Sequence, residues 1–267
     1  MTTSQFLVRP EGRLAYDVAG PADGPLVVCL PGMGELRSSY RLLVPLLVAA
    51  GHRVATLDLR GHGDSETTFS SYDDEAQAGD ALALVAELGG PAILVGNSMG
   101  AGAAVLAAAQ QPAAVAALVL VAPFVRNPSG GALARLALRA ALLRPWGPSA
   151  FMLFHSKWVP GVQPEGRIEH RAAVRAALRR PGHWRAFVRT TRTSHAPAEA
   201  ALDDVRCPAV VVMGEADIDW PDPAAEAAWL GDRLDAEVLL APGVGHYPQA
   251  QVPQLVADAV ARVSARA

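Results

Sequence analysis

A five-residue turn, Gly96-Asn97-Ser98-Met99-Gly100, joins the apolar run Pro91 to Val95 directly to the small-residue stretch Ala101 to Gln111. The chain leaves a strand there and enters a helix within one residue, which exposes the serine at a sharp bend. Glycines on either side let the two backbones pass at a distance that a larger side chain would block. The bend holds its central residue in a strained conformation costing roughly 1–3 kcal/mol, and strain of that kind clusters at functional sites. A chain built around this turn is committed to strands that feed helices.

The rest of the sequence keeps that rhythm. Gln5 to Val8 and Arg13 to Val18 alternate, with Pro10-Glu11-Gly12 between them, and predict an opening hairpin. Leu26 to Leu30 and Arg53 to Leu57 are apolar strands, with Asp58 at the end of the second. Helices are expected over Ser38 to Ala50 and from about Asp74 to Leu88, each followed by glycine. A strand over Ala117 to Val121 follows the serine turn and its helix. Beyond the linker Asn127-Pro128-Ser129-Gly130-Gly131 the strands cease. Helical stretches cover Ala132 to Leu143, Arg167 to Arg180 and Trp184 to Arg192. The alternation resumes with the strand Ala209 to Met213, the helix Pro223 to Leu234, the strand Glu237 to Leu240 and a helix from about Val252. Continuous apolar strands alternating with helices predict an α/β fold, a mostly parallel sheet with helices on both faces. Residues 1–126 and 203–267 form its core, and 127–202 an inserted all-helical cap.

Charge sets the middle segment apart. Between Asn127 and Leu202 there are 12 Arg or Lys and 3 Glu, a balance of +9, so the remainder carries −12 of the total of −3. The apolar runs fall short of the roughly 18 residues of a spanning helix, and no basic-then-apolar leader opens the chain. Cys29 and Cys207, both in apolar runs, read as buried thiols. These features suggest a cytoplasmic protein with no membrane partner. The negative overall charge, with no recognition motif, argues against nucleic acid. The oligomeric state is not legible.

A serine hydroxyl is a weak nucleophile at neutral pH and needs a base beside it. Ligands bind such sheets beyond the C-terminal ends of the strands, so acids and histidines just after later strands are the candidates. Val210 to Met213 ends in Gly214-Glu215-Ala216-Asp217, and Val238 to Leu240 leads to Gly243-Val244-Gly245-His246. In this reading His246 takes the proton from Ser98 and returns it to the leaving group, while Asp217 orients the imidazole and stabilises its cationic form. Asp217 is preferred over Glu215 and Asp219. The stretch from Asp219 to Pro223 reads as a turn into a helix cap. Gly243 and Gly245 are expected to bring their loop close to the serine. The glycine-rich turn Pro31-Gly32-Met33-Gly34 suggests an oxyanion hole made by the backbone N–H groups of Met33 and Met99.

The chain resembles the α/β-hydrolase superfamily, of the cofactor-free serine type with a helical cap. The resemblance rests on Pro31 to Gly34, on Asp58-Leu59-Arg60-Gly61-His62-Gly63-Asp64-Ser65, on the Ser98 turn, on Gly214 to Asp217, and on Gly245-His246, in the order serine, acid, histidine. Many relatives carry His-Gly where this chain has Pro31-Gly32, a change that leaves a backbone donor intact. His62 is read as a structural loop histidine. Relatives that open epoxides or remove halides place aspartate at the turn, so Ser98 argues against those reactions. No phosphate-binding or zinc motif is present, and no cofactor or metal is expected. The resemblance implies a hydrolase of an ester, lactone or thioester of a small to medium organic molecule. The alternatives are carbon–carbon hydrolysis, acyl transfer or another biosynthetic step with the same triad, and a ligand-binding protein with a vestigial one. The cap would roof the pocket. Arg171, Arg175 and Arg179, and likewise Arg135 and Arg139, share helix faces. Those faces are either solvated, attract an anionic substrate or rest on the acidic core.

Overall fold

The computed structural model describes residues 4–128 and 132–266; the side chains of 132–135 are not described. The linker residues Ser129 to Gly131 and the side chain of Arg135 therefore lie outside the described residues. In chain order the elements are β1 (Gln5–Arg9), β2 (Gly12–Ala19), β3 (Leu26–Leu30), α1 (Val44–Ala49), β4 (Arg53–Leu57), α2 (Asp74–Leu88), β5 (Ala92–Asn97), α3 (Met99–Gln110) and β6 (Val115–Val121). Five helices follow: α4 (Ala132–Ala141), α5 (Gly147–His155), α6 (Arg167–Arg179), α7 (His183–Thr190) and α8 (Ala196–Ala200). The chain closes with β7 (Ala209–Gly214), α9 (Pro223–Leu234), β8 (Glu237–Ala241), α10 (Pro248–Gln251) and α11 (Pro253–Ser264).

The eight strands form one sheet in the order β1-β2-β4-β3-β5-β6-β7-β8. The β1–β2 hairpin pairs antiparallel, and β2 joins β4 antiparallel. Every other neighbour pair, from β4–β3 to β7–β8, is parallel. The central strands read as unbroken apolar runs because both of their faces are covered. Successive side chains alternate between two cores. Leu26, Val28 and Leu30 of β3 and Leu94 of β5 join α2, α3 and α9 on one face. Val27 and Cys29, with Ile93 and Val95, join Leu47 of α1 and Val256 and Val260 of α11 on the other. Fully burying one such Val, Leu or Ile contributes about 1.5–3 kcal/mol.

Two local expectations needed revision. The single helix over Ser38 to Ala50 is a 3-10 turn at Arg37–Tyr40 and a separate α1 that begins at Val44 with Pro45 in its first turn. Proline has no N–H to donate and is well placed at a helix start, so it divides the segment. Cys207 is half-buried rather than buried, whereas Cys29 is fully enclosed in β3.

Between β6 and β7 the described residues hold helices and no strand of the sheet. This helical insertion has its own small core of Leu142, Phe151, Met152, Val174, Leu178, Trp184 and Phe187.

Candidate active site

Ser98 is the single residue between β5 and α3, with φ 56° and ψ −123°. A side chain with positive φ is held only where its surroundings over-determine it. Here the Ser98 amide donates to the Val121 carbonyl at 3.0 Å, and its own carbonyl accepts from Phe124 N–H at 3.1 Å and Ala101 N–H at 2.9 Å. The end of β6 thus clamps the bend from outside. The flanking glycines are required by close approach. A Cβ on Gly96 would run into the Gly100 carbonyl, and one on Gly100 into that of Leu30.

The turn after β3 packs on the serine, for a Cβ on Gly32 would lie 2.8 Å from Ser98 Cβ. The amide of Glu35 goes to the Gly32 carbonyl at 3.2 Å, and that of Gly34 to His62 Nε2 at 3.0 Å. The Met33 amide is not drawn into either bond. Met99 is the first residue of α3, where backbone N–H groups have no partner within the helix. His62 is a buried loop support. Its Nδ1–H donates to the Arg60 carbonyl at 2.9 Å, which leaves Nε2 as the acceptor for Gly34. Burial pushes the His62 pKa down to about 4, so the ring keeps the neutral form this arrangement needs.

His246 lies beyond β8, on the loop that follows Ala241, and Asp217 on the loop beyond β7. His246 Nδ1–H donates to Asp217 Oδ2 at 2.7 Å, and Asp219 Oδ2 stands 3.3 Å from the same nitrogen. Glu215 is exposed and makes no ion pair with His246. Burial alone would depress the imidazole, but Asp217 and Asp219 outweigh it and raise its pKa to about 9. Asp219 is lifted above the usual carboxylate range by burial, against the pull of His246. The stretch from Asp219 to Pro223 leads into a helix cap as expected, with Asp222 as the cap, its carboxylate accepting from the Ala225 amide at 2.9 Å. Asp219 instead accepts from Trp158 Nε1–H at 2.8 Å.

The serine turn and the histidine loop are adjacent. Asn97 Nδ2 donates to the His246 carbonyl at 3.0 Å, and the Phe124 ring stands 5.8 Å from the His246 ring. With Nδ1 engaged, Nε2 of His246 has no hydrogen-bond partner among the described residues. Among the described residues Ser98 Oγ and His246 share no hydrogen bond. In ligand-free enzymes such contacts are often long and tighten when substrate binds. Ser98, Asp217 and His246 are 6%, 3% and 4% exposed, so the site is enclosed.

Gly245 serves a different neighbour from the one expected. A Cβ there would strike the Trp158 carbonyl and the Pro160 ring, not the serine. The His246 amide donates to the same Trp158 carbonyl at 2.9 Å. Gln251 Nε2 bonds the carbonyls of Pro160 and Val162 at 2.8 and 2.9 Å, and Gly161 pairs with Val244 as an isolated bridge. The histidine loop is therefore stitched to residues 158–162 of the insertion.

A second buried cluster escaped the sequence. Glu35 Oε1 lies 2.6 Å from His155 Nε2, and Oε2 lies 2.7 Å from His170 Nε2. Burial opposes the charge on Glu35, yet the two imidazoles hold it well below the usual carboxylate range. These residues tie the loop after β3 to α5 and α6. Nothing in their spacing announces it, because the partners are 120 and 135 positions apart. One candidate metal cluster exists among the described residues, Asp217, Asp219 and His246, whose ligand atoms fall within 4.8 Å of one another. Both carboxylates already accept N–H bonds there, and a metal on Nδ1 would displace the proton shared with Asp217.

Comparison with known proteins places this geometry. The model of the alpha/beta hydrolase family matches residues 27–259. A curated relative, 2-(acetamidomethylene)succinate hydrolase of Mesorhizobium japonicum, is 29% identical over 260 residues, covering 93% of this chain and 91% of its own. Among solved structures, a bromoperoxidase from Bacillus anthracis superposes with TM-score 0.84 at 18% identity, covering 98% of this chain and 100% of that one. The enol-lactonase from Burkholderia xenovorans gives 0.80 at 20% identity, with 98% and 100% covered. At such identities the structural likenesses establish the fold, while the family match extends over most of the sequence, and this chain belongs to the alpha/beta hydrolase family.

Proposed function

We propose that the protein is a serine hydrolase that cleaves an ester, lactone or thioester of a small to medium organic molecule. The observation that carries this reading is the 2.7 Å bond from His246 Nδ1 to Asp217, on a loop joined to the strained Ser98 turn through Asn97. Asp217 fixes the tautomer, so that Nε2 is the basic nitrogen. Ser98 Oγ attacks the substrate carbonyl carbon, and its proton passes to Nε2. The carbonyl π pair moves onto oxygen, where the amides of Met33 and Met99 receive the negative charge. Losing one donor of this kind costs about 2.7–4 kcal/mol of barrier lowering. The tetrahedral centre then collapses to an acyl-enzyme. The leaving oxygen or sulfur takes the proton from His246. Water repeats the sequence to free the acid and restore the serine.

The helical insertion acts as the cap. Phe151 stacks 4.6 Å from Phe187, and a Cβ on Gly34 would touch both rings, so an apolar wall stands over the oxyanion turn. That wall suits an organic acyl group. The Mesorhizobium relative is itself a hydrolase, which supports hydrolysis as the reaction class.

A fluorophosphonate probe, which traps an activated serine covalently, tests the proposal. The wild-type protein is expected to be labelled at Ser98 and the Ser98→Ala variant not at all. An unlabelled wild type that also leaves a panel of nitrophenyl esters, lactones and thioesters intact would overturn it.

A further inference from the structure

Arg167, Arg171, Arg175 and Arg179 stand at intervals of four along α6 and line a cleft of about 540 Å³ between α5 and α6. The stripe extends for about 18 Å at the α-helical rise of ~1.5 Å per residue. Among the described residues no carboxylate forms an ion pair with any of the four, although the same insertion holds Arg180 against Asp64. Arg167 and Arg171 bond only to the backbone carbonyls of Ser156 and Met152. Arg171 Nε is buried with no partner. Arg175 and Arg179 are exposed.

The same cleft is edged by apolar side chains that water covers. Ile168 is 80% exposed and Leu153 67%. Phe154 beside Leu153, and Leu136, Leu143 and Trp146 on and after α4, are each about half exposed or more. Of the twelve large apolar side chains exposed among the described residues, eight belong to residues 127–202. Exposed aliphatic groups concentrated on one segment mark a surface of contact. Unpaired arginines beside them require that contact to be negatively charged.

We propose that this face of the insertion docks on an anionic lipid surface. The arginines of α6 meet lipid phosphates, and Ile168, Leu153 and their neighbours enter the boundary between headgroups and acyl chains. This is the composition of helices that lie in the plane of a membrane. Spanning is not involved, because no described helix is long and apolar enough to cross a bilayer. The expectation of no membrane partner rested on the length of the apolar runs and the lack of a leader, and the docking proposed here departs from it. The inference stands on surface residues apart from Ser98 and does not depend on the reaction proposed above.

Flotation with vesicles tests it, using phosphatidylcholine alone and phosphatidylcholine mixed with phosphatidylglycerol, each at low and at physiological salt. Binding is expected only to the vesicles that contain phosphatidylglycerol, weakening tenfold or more as salt rises. The double variants Arg175→Glu with Arg179→Glu, and Leu153→Ser with Ile168→Ser, are each expected to lose tenfold or more in binding. Both change exposed side chains and should keep the wild-type melting temperature. Binding to neither vesicle, equal binding to both, or variants that bind like wild type would overturn the proposal. So would a dimer in analytical ultracentrifugation that the Leu153 and Ile168 changes dissociate, since the face would then seat a second copy of this chain.

Discussion

Beside the buried Asp74–His195 pair, two larger histidine–carboxylate clusters lie among the described residues, and they are wired in opposite senses. At His246 one imidazole stands between two carboxylates, Asp217 and Asp219, and only Nδ1 is engaged. At Glu35 one carboxylate stands between two imidazoles, and each commits its Nε2. Burial and pairing are common to both. What differs is the stoichiometry of charge: two carboxylates meet one ring nitrogen in the first, and one carboxylate joins two rings in the second, closing a joint between the loop after β3 and helices α5 and α6. In the function proposed above, only the first serves a reacting atom.

The contrast also sets opposite responses to pH. His246 is raised from its ordinary value to about 9, so its contribution to stability is complete below about 6.5 and is lost as pH climbs through 9. Glu35 is depressed, so its contribution is present above the ordinary glutamate value of about 4.3 and is lost as pH falls toward its lowered one.

The largest test of the comparison is removal of the proposed nucleophile beside the first cluster. Ser98→Ala should lower turnover of the best ester substrate about a millionfold. Asp217→Asn keeps the shape of the pair but favours the wrong tautomer, and should lower kcat about 10⁴-fold. If Asp217→Asn left kcat intact, the first cluster would be no more catalytic than the second. Glu35→Ala leaves two imidazoles without their shared acceptor and should destabilise the fold by about 3–5 kcal/mol in chemical denaturation. Glu35→Gln sharpens this test, for unfolding profiles over a pH series should show less acid sensitivity than wild type. Asp219→Asn removes one of the charges that favour imidazolium. The rising limb of kcat/KM against pH should therefore move to lower pH than in wild type, where it belongs to a group near 9. The smallest effect is expected at the bend itself. Glycine adopts φ 56° without a Cβ penalty, and Ser98→Gly should raise stability by about 1 kcal/mol or less in thermal unfolding.

How much of this was legible in the sequence follows from the range of the forces involved. Strands β3 and β5 stood out because both faces are buried, which leaves no polar position to interrupt the run. Their edges and the helix breaks were less visible. Helix α5 went unread; it is a short helix that begins with Pro148 in its first turn. Ser98 was legible as the residue directly after an apolar strand, and Asp217 and His246 as residues of the loops beyond two later strands, a local signature. The stretch from Asp219 to Pro223 was legible as a turn into a helix cap, with Asp222 as the cap, but the contacts of Asp219 with Trp158 and His246 depend on the fold. The Glu35 cluster has no local signature at all. It exists because a loop after one strand and two helices far along the chain arrive at the same place.

The stitching of residues 158–162 to the histidine loop restricts how a molecule reaches the enclosed serine. The Trp158 carbonyl bonds the amide of the base, the indole bonds Asp219, and Gln251 grips Pro160 and Val162. Moving that corner outward would break those bonds and shift the His246 loop with it. The Trp158 corner is therefore a fixed margin of the insertion, and we expect access to the proposed nucleophile from another side.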